Sequence, residues 1–164
     1  MIKVFISHIK QDSSYAKEIA QYLEYHDEVS CYLDVLDSTL LSCGGDDLGE
    51  YFGERLSECT HLMAVLSETT KLSWWVPFEI GIATEKQYPI STFAIQFTDL
   101  PQYLKKWPYL QDETDLDEYV RIALSTQPHI MVEGLEKIAA SRRRLYTREF
   151  NENLKKALGQ ANEY

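Results

Sequence analysis

The opening residues, Ile2-Lys3-Val4-Phe5-Ile6-Ser7, alternate weakly and are rich in β-branched and aromatic types, the pattern of a buried strand. Asp12 and Ser13 follow as N-cap residues. Ala16, Ile19, Ala20 and Leu23 then recur at helical spacing, which predicts a helix over about 13–26. β-propensity predicts a second strand over 29–35. A polar stretch through Ser42, Gly44 and Gly45 reads as a loop. Asp47 and Glu50 stand at N-cap and N3 spacing, a capping-box variant that opens a helix over about 48–58. Residues 61–66 are a short apolar run and give a third strand. Ser73 and Pro77 mark the start of another helix reaching about 87, and 90–97 reads as a fourth strand.

The resulting order, βαβαβαβ with short connections, implies right-handed crossovers and a parallel sheet covered by helices. Ligands of such sheets sit outside the carboxyl ends of the strands, so the loops after residues 7, 35 and 67 are expected to line any site. Beyond residue 100, Pro101, Pro108 and Pro128 punctuate short helical pieces. Residues 133–158 read as a longer helix with Leu135, Ile138, Leu145 and Phe150 on or near one face. That helix either packs on the domain or meets a partner. The expected division is a domain over 1–126 and a helical extension over 127–164 packed on it.

A length of 164 residues fits one domain, and 45% hydrophobic with 26% charged residues excludes wholesale disorder. Sixteen basic residues against 26 acidic leave a formal net charge of −10. This argues against general nucleic-acid binding, which needs a basic face. The one dense basic run is Arg142-Arg143-Arg144, with Arg148 nearby, so an anion is expected to bind only through a local pocket. Three cysteines at 31, 43 and 59, without a CxxC pair or a leader, point to a reduced cytoplasmic compartment. Cys31 and Cys59 fall in core elements and Cys43 in a loop. No apolar run approaches the ~20 residues of a membrane span.

Familiar chemical motifs are missing from the sequence. There is no GxGxxG, no GxxxxGK[ST] and no GxSxG, and His8, His26, His61 and His129 lie too far apart for a metal pair. Gly44-Gly45 suits a flexible loop, and Asp46-Asp47 suits helix capping. A sharper signal is Ser73-Trp74-Trp75-Val76-Pro77-Phe78-Glu79. Trp75 and Glu79 are four apart and share a helix face, with Glu79 in an early turn where the helix dipole favours a carboxylate. Apolar residues surround it, which is unusual for a merely solvated glutamate. Two readings stand side by side: a glutamate at a helix start with Trp75 as core, or a functional carboxylate. At the first strand's carboxyl end lie Ser7, His8, Ile9 and Lys10, where Lys10 suits a phosphate. Each of these is also an ordinary loop residue.

Taken together these residues resemble the TIR (Toll/interleukin-1 receptor) domain. Lys3-Val4-Phe5-Ile6-Ser7-His8 is similar to its opening strand. Cys31-Tyr32-Leu33-Asp34, then a loop with Gly44-Gly45, is similar to its second strand and BB loop. Residues 61–67 resemble its third strand, and Trp75 with Glu79 matches the WxxxE pattern of its bacterial enzymatic branch. The resemblance covers residues 1 to about 100 well and extends less clearly to 126. It implies a three-layer flavodoxin-like fold, a central parallel sheet with helices on both faces, plus the C-terminal helical extension. It also implies cleavage of NAD+ as substrate, with no cofactor and no metal. Glu79 would be catalytic, Trp75 would stack on the substrate, and Ser7, His8 and Lys10 would contact ribose and phosphates. Ile9 stands where many relatives carry a basic residue, and the BB loop has no basic residue.

Such chemistry suits a single carboxylate. Nicotinamide leaves as a neutral base, so no general acid is needed, and a fixed negative charge stabilises the oxocarbenium-like transition state. A stand-alone chain of this kind resembles the signal-making TIR protein of Thoeris-type antiphage systems. Its expected product is an ADP-ribose-derived, cyclic messenger, read by a separate effector and made in response to a phage-derived trigger. Self-association through TIR–TIR contacts is expected, and Leu36, Leu40 and Leu41 suit such a contact or the packing of their own loop. Neither nucleic acid nor a membrane is an expected partner. Two alternatives remain: a non-enzymatic adaptor working by TIR–TIR assembly, and a nucleoside deoxyribosyltransferase-like enzyme using Glu79 as nucleophile.

Overall fold

The computed structural model describes residues 1–36, 48–126 and 136–161. Its first strand, interior to the sheet, is β1 (Ile2–Ile9), in which every side chain but Lys3 is buried. A strand covered on both faces loses the polar alternation of a half-exposed one, so its apolar run is nearly continuous. On one side lies β2 (Val29–Leu36), with Ile2 opposite Val29 and Ile9 opposite Leu36. On the other lies β3 (His61–Leu66), with Val4 opposite His61 and Ser7 opposite Ala64. β4 (Ile90–Ala94) and the short β5 (Tyr109–Leu110) complete a sheet in the order β2-β1-β3-β4-β5, with every pairing parallel.

Parallel neighbours need crossover connections. Three of these run through α1 (Ser13–Glu24), α2 (Leu48–Ser57) and α3 (Trp75–Glu85), while α4 (Glu113–Thr126) and α5 (Glu136–Ala157) follow β5. The pleat sorts the strand side chains into two cores. Val4, Ile6, Met63 and Val65 pack with residues of α1, α4 and α5. Phe5, Leu62, Ala64 and Leu66 pack with Phe52 and Leu56 of α2 and with Val76, Ile80 and Ala83 of α3. The result is a three-layer, flavodoxin-like α/β fold with a C-terminal helix added to one outer layer.

Three expectations are corrected. The fourth strand stops at Ala94, because Gln96 (φ 52°) and Phe97 (φ 57°) adopt left-handed conformations in a 310 turn, which cannot continue a ladder. The stretch after Pro108, expected to be helical, supplies β5, which at two residues is too short to show a period. In α5, Leu145 is 56% exposed, and Phe150 and Leu154 carry the burial. Leu135, like the loop residues Leu40, Leu41, Ser42, Cys43, Gly44, Gly45, Asp46 and Asp47, lies outside the residues described, as does the side chain of Ile138. The two described cysteines behave as hydrophobes: burial pushes the thiol of Cys31 up to about 12 and that of Cys59 up to about 11.

His61 ties α5 to the sheet. Its ring meets Tyr119, Tyr146 and Phe150 edge-on. The Thr60 hydroxyl donates to the Lys3 carbonyl (3.1 Å) and so accepts from His61 Nδ1 at 2.8 Å, which leaves Nε2 to accept from the Tyr146 hydroxyl at 2.8 Å. Desolvation lowers the imidazole from 6.5 to about 3. An unfolded His61 binds a proton below about 6.5 and the folded one does not until about 3. Stability from this residue is therefore complete above pH 6.5 and falls as pH drops towards 3. At pH 5 the expected loss is about 2 kcal/mol relative to pH 7, with 1.36 kcal/mol per unit. Urea unfolding at the two pH values should show it, and His61→Gln should remove most of the difference. An equal loss in the variant would refute the assignment.

Candidate active site

The strand order reverses between β1 and β3, and their carboxyl ends open the crevice where doubly wound sheets bind ligands. Ser7, the last residue of β1 opposite β3, stands there with Ala64 as its partner. Ser7 shares its pleat face with Phe5, and Phe5 belongs to the core that holds α3. Ser7 is fully buried and so is Glu79, and the Ser7 Oγ–H donates to Glu79 Oε2.

The local sequence explains how Glu79 gets there. Ser73 Oγ accepts from the Trp75 amide (3.2 Å) as α3 begins. Pro77 sits at the third helical position, where its missing N–H costs nothing because no carbonyl precedes it in the helix. The buried residues of α3 are Trp75, Val76, Glu79, Ile80 and Ala83, a stripe with helical spacing. Glu79 thus occupies a core-facing position of an apolar helix. It is the fifth residue of α3 and lies beyond the first turn, so the dipole supports its carboxylate less than the expected early-turn placement implies. A hydroxyl reaching over from β1 supplies direct support.

The other candidate residues scatter around this pair. The pleat sends His8 to the opposite face, where it is 1% exposed and its Nδ1–H donates to the Ile6 carbonyl (3.2 Å). Desolvation lowers its pKa, with the Ile6 carbonyl and Asp12 opposing. Lys10 is exposed in the 310 turn Lys10–Asp12 that leaves β1. Trp75 is fully buried, its ring 5.5 Å from those of Phe78 and Trp74, and its indole N–H has no hydrogen-bond partner. The structure therefore brings together Ser7 and Glu79, seats Trp75 one turn before Glu79, and leaves His8 and Lys10 apart from them.

Asp12 is the residue that the sequence reading assigned differently. It occupies the N-cap position of α1 but makes no capping hydrogen bond there. Its buried carboxylate instead accepts from the hydroxyls of Ser67 (2.9 Å) and Thr70. These residues follow β3, so Asp12 clamps the loop after β1 to the loop after β3 beside the crevice. Nothing in the local sequence marks this, because the partners are 55 and 58 residues away.

Fold and site together define a doubly wound α/β domain with a buried carboxylate at its switch point. Residues 4–124 match the TIR domain family, and the chain belongs to that family. The match ends before α5 begins. No curated protein matches the chain in sequence. TIR domains as a class include NAD+ hydrolases and assembly adaptors, and they self-associate. Among the described residues no cluster of three metal-ligating side chains occurs, and no helix is long and apolar enough to cross a membrane.

Removing the Ser7 hydroxyl withdraws a buried donor from Glu79. Ser7→Ala is expected to destabilise the fold by about 1–3 kcal/mol, read as a lower urea midpoint with an unchanged slope. If Glu79→Gln gave Ser7→Ala the same cost, the hydroxyl would not act through the carboxylate's charge.

Proposed function

We propose that this chain is an NAD+ nucleosidase and ADP-ribosyl cyclase, with Glu79 as the catalytic carboxylate. The observation that carries the reading is the buried Ser7–Glu79 hydrogen bond at the switch point. A charge-bearing group is costly to bury in an apolar stripe, and a stable fold has no use for one at that position. The C1′–N bond of the nicotinamide riboside breaks with its electron pair passing to the ring nitrogen, which neutralises the pyridinium. Positive charge develops on C1′ and the ribose ring oxygen, and the Glu79 carboxylate stabilises it. Water then adds to C1′ and releases a proton, giving ADP-ribose. Attack by a nucleophile of the same molecule gives a cyclic product instead.

Ser7 orients the carboxylate in this reading, and Trp75 forms the wall beside it with a buried N–H that a substrate oxygen would satisfy. In this reading Lys10, exposed at the carboxyl end of β1, would meet a phosphate, and His8 buttresses the end of the strand. The family resemblance supports the setting: a cytoplasmic TIR protein of antiphage defence whose diffusible, ADP-ribose-derived product reaches a separate effector after a phage-derived trigger.

Glu79 has no solvent-exposed surface in this arrangement. Substrate therefore has to displace its cover, and family-type self-association offers the binding energy for that. Two outcomes follow. With NAD+ and protein at high concentration, chromatography and mass spectrometry should detect nicotinamide release that Glu79→Ala reduces by at least about a hundredfold, the scale of one electrostatic group. Release at the wild-type rate in a folded variant would refute Glu79 as catalytic. Specific activity should also rise with protein concentration, and a value independent of concentration would exclude assembly as the source of opening.

A further inference from the structure

We propose a second ligand site, for a nucleoside phosphate, in the groove between α5, the end of α3 and the 310 segment Gln102–Lys106. The groove has a volume of about 610 Å³, within the range of roughly 300–1,000 Å³ typical of small-molecule sites. It lies at the amino end of β4, where Ile90 forms part of its wall. The Ser7–Glu79 pair lies towards the carboxyl end of the sheet, and along the helix Glu79 precedes the groove residue Thr84 by five residues, roughly 8 Å of axial rise.

The groove concentrates positive charge in an acidic protein. Lys106, Arg144, Arg148 and Lys155 line it, against Glu152 as the lining carboxylate. Arg144 and Arg148 are four apart on α5, a like-charge pairing that weakens a helix unless an anion intervenes. Among the described residues the carboxylate contact of Arg148 is a long one, 3.9 Å to Glu152. Lys155 is anchored on the Lys105 carbonyl at 2.7 Å, which fixes its ammonium at the rim. Exposed guanidinium groups with forked donors are suited to phosphate oxygens.

The apolar part of the lining suits a flat ring. Half-buried Trp107, with Lys106 Nζ 5.2 Å from its ring centre, and buried Tyr88, with the Arg143 guanidinium 4.8 Å from its own, put cations against aromatic faces at the lining, and exposed Leu145 contributes an aliphatic edge. Asn151 lies on the same wall, and its side-chain oxygen is buried without a hydrogen-bond partner. A carboxamide reads both donors and acceptors at a base edge. Cations for the phosphates, a half-buried indole and a side-chain oxygen without a partner in one groove are together the recognition chemistry of a phosphorylated nucleoside. A purely acidic protein surface would leave the aromatic walls and the amide unused.

The test is a titration of the whole chain with ADP, followed by calorimetry, beside adenosine and inorganic pyrophosphate. ADP is expected to bind saturably, and Arg144→Glu with Arg148→Glu should weaken it by at least about tenfold, as should loss of the phosphates in adenosine. Trp107→Ala should weaken ADP more than pyrophosphate. Ser7→Ala should leave ADP affinity unchanged, which separates this groove from the carboxylate site. Absence of ADP binding at millimolar concentration overturns the proposal. So does binding that the double variant leaves intact, or pyrophosphate binding as tight as ADP, which would reduce the groove to a plain anion patch. If sedimentation shows self-association that the double variant abolishes while ADP does not compete, the groove holds a second copy of the chain and the proposal is wrong. Far-UV circular dichroism of the whole chain checks that the variant remains folded.

Discussion

A carboxylate sits where the pattern of α3 requires a hydrophobe, and the surrounding architecture is arranged to hold it. The effective penalty for burying an ion is several kcal/mol even after relaxation. Glu79 lies between Val76 and Ile80 on a stripe whose members Val76, Ile80 and Ala83 pack in one core with residues of β1 and β3. Ser7 faces that stripe only because the pleat of β1 alternates, and a shift of register by one residue would send its hydroxyl to the α1 side. The register is pinned on both flanks, by Val4 to Ser7 against β3 and by the whole of β1 against β2. The polar pair thus depends on a strand buried on both faces, and the strand's apolar residues provide the rigidity a preorganised site needs.

The same logic explains the second clamp at this end of the sheet. Asp12 accepts from Ser67 and Thr70, and Thr70 is itself bound through its amide to Ser67 Oγ at 3.3 Å. The loops after β1 and β3 are therefore joined by hydroxyl–carboxylate contacts rather than by apolar packing. That choice suits a crevice: polar side chains link the loops without filling the space between the strand ends with methylene groups. It also fixes the start of the segment that leads into α3, and hence the angle at which Glu79 enters the core.

Much of this was legible from residue patterns, and the failures have physical causes. Strands β1 to β3 and helices α1 to α3 announce themselves through periodicity, because each buries one face or both. The parallel architecture follows from alternation of type. Glu79 was visible as a polar residue out of place in an apolar stretch, with Trp75 one turn earlier. Ser7 was visible only by its position at a strand end, since a hydroxyl in a buried strand carries no periodic signature. His8 looked like a site residue for the same reason, and the pleat separates it from Glu79. For Asp12 local spacing favours a cap, whereas its actual partners are set by tertiary approach. The end of β4 was lost because left-handed conformations at Gln96 and Phe97 involve no glycine to signal them.

The C-terminal helix falls outside the matched family region yet is bound into the domain by the chemistry of one buried imidazole and the rings around it. Tyr119 from α4 and Tyr146 and Phe150 from α5 converge on His61, so the first residue of β3 carries the contact for both helices. Once α5 is fixed there by Phe150 and Leu154, its remaining face has no choice of direction. Arg144, Arg148 and Lys155 are turned towards the end of α3 and the Gln102–Lys106 segment. α3 then runs from the carboxylate at one end of the sheet to the basic groove at the other, with Glu79 and Thr84 less than two turns apart. An interaction that moves the end of α3 acts on the helix that carries Glu79. The extension is tied to the end of that helix by the Thr147 hydroxyl, which donates to the Gln87 carbonyl at 2.6 Å, although only α3 belongs to the matched family region.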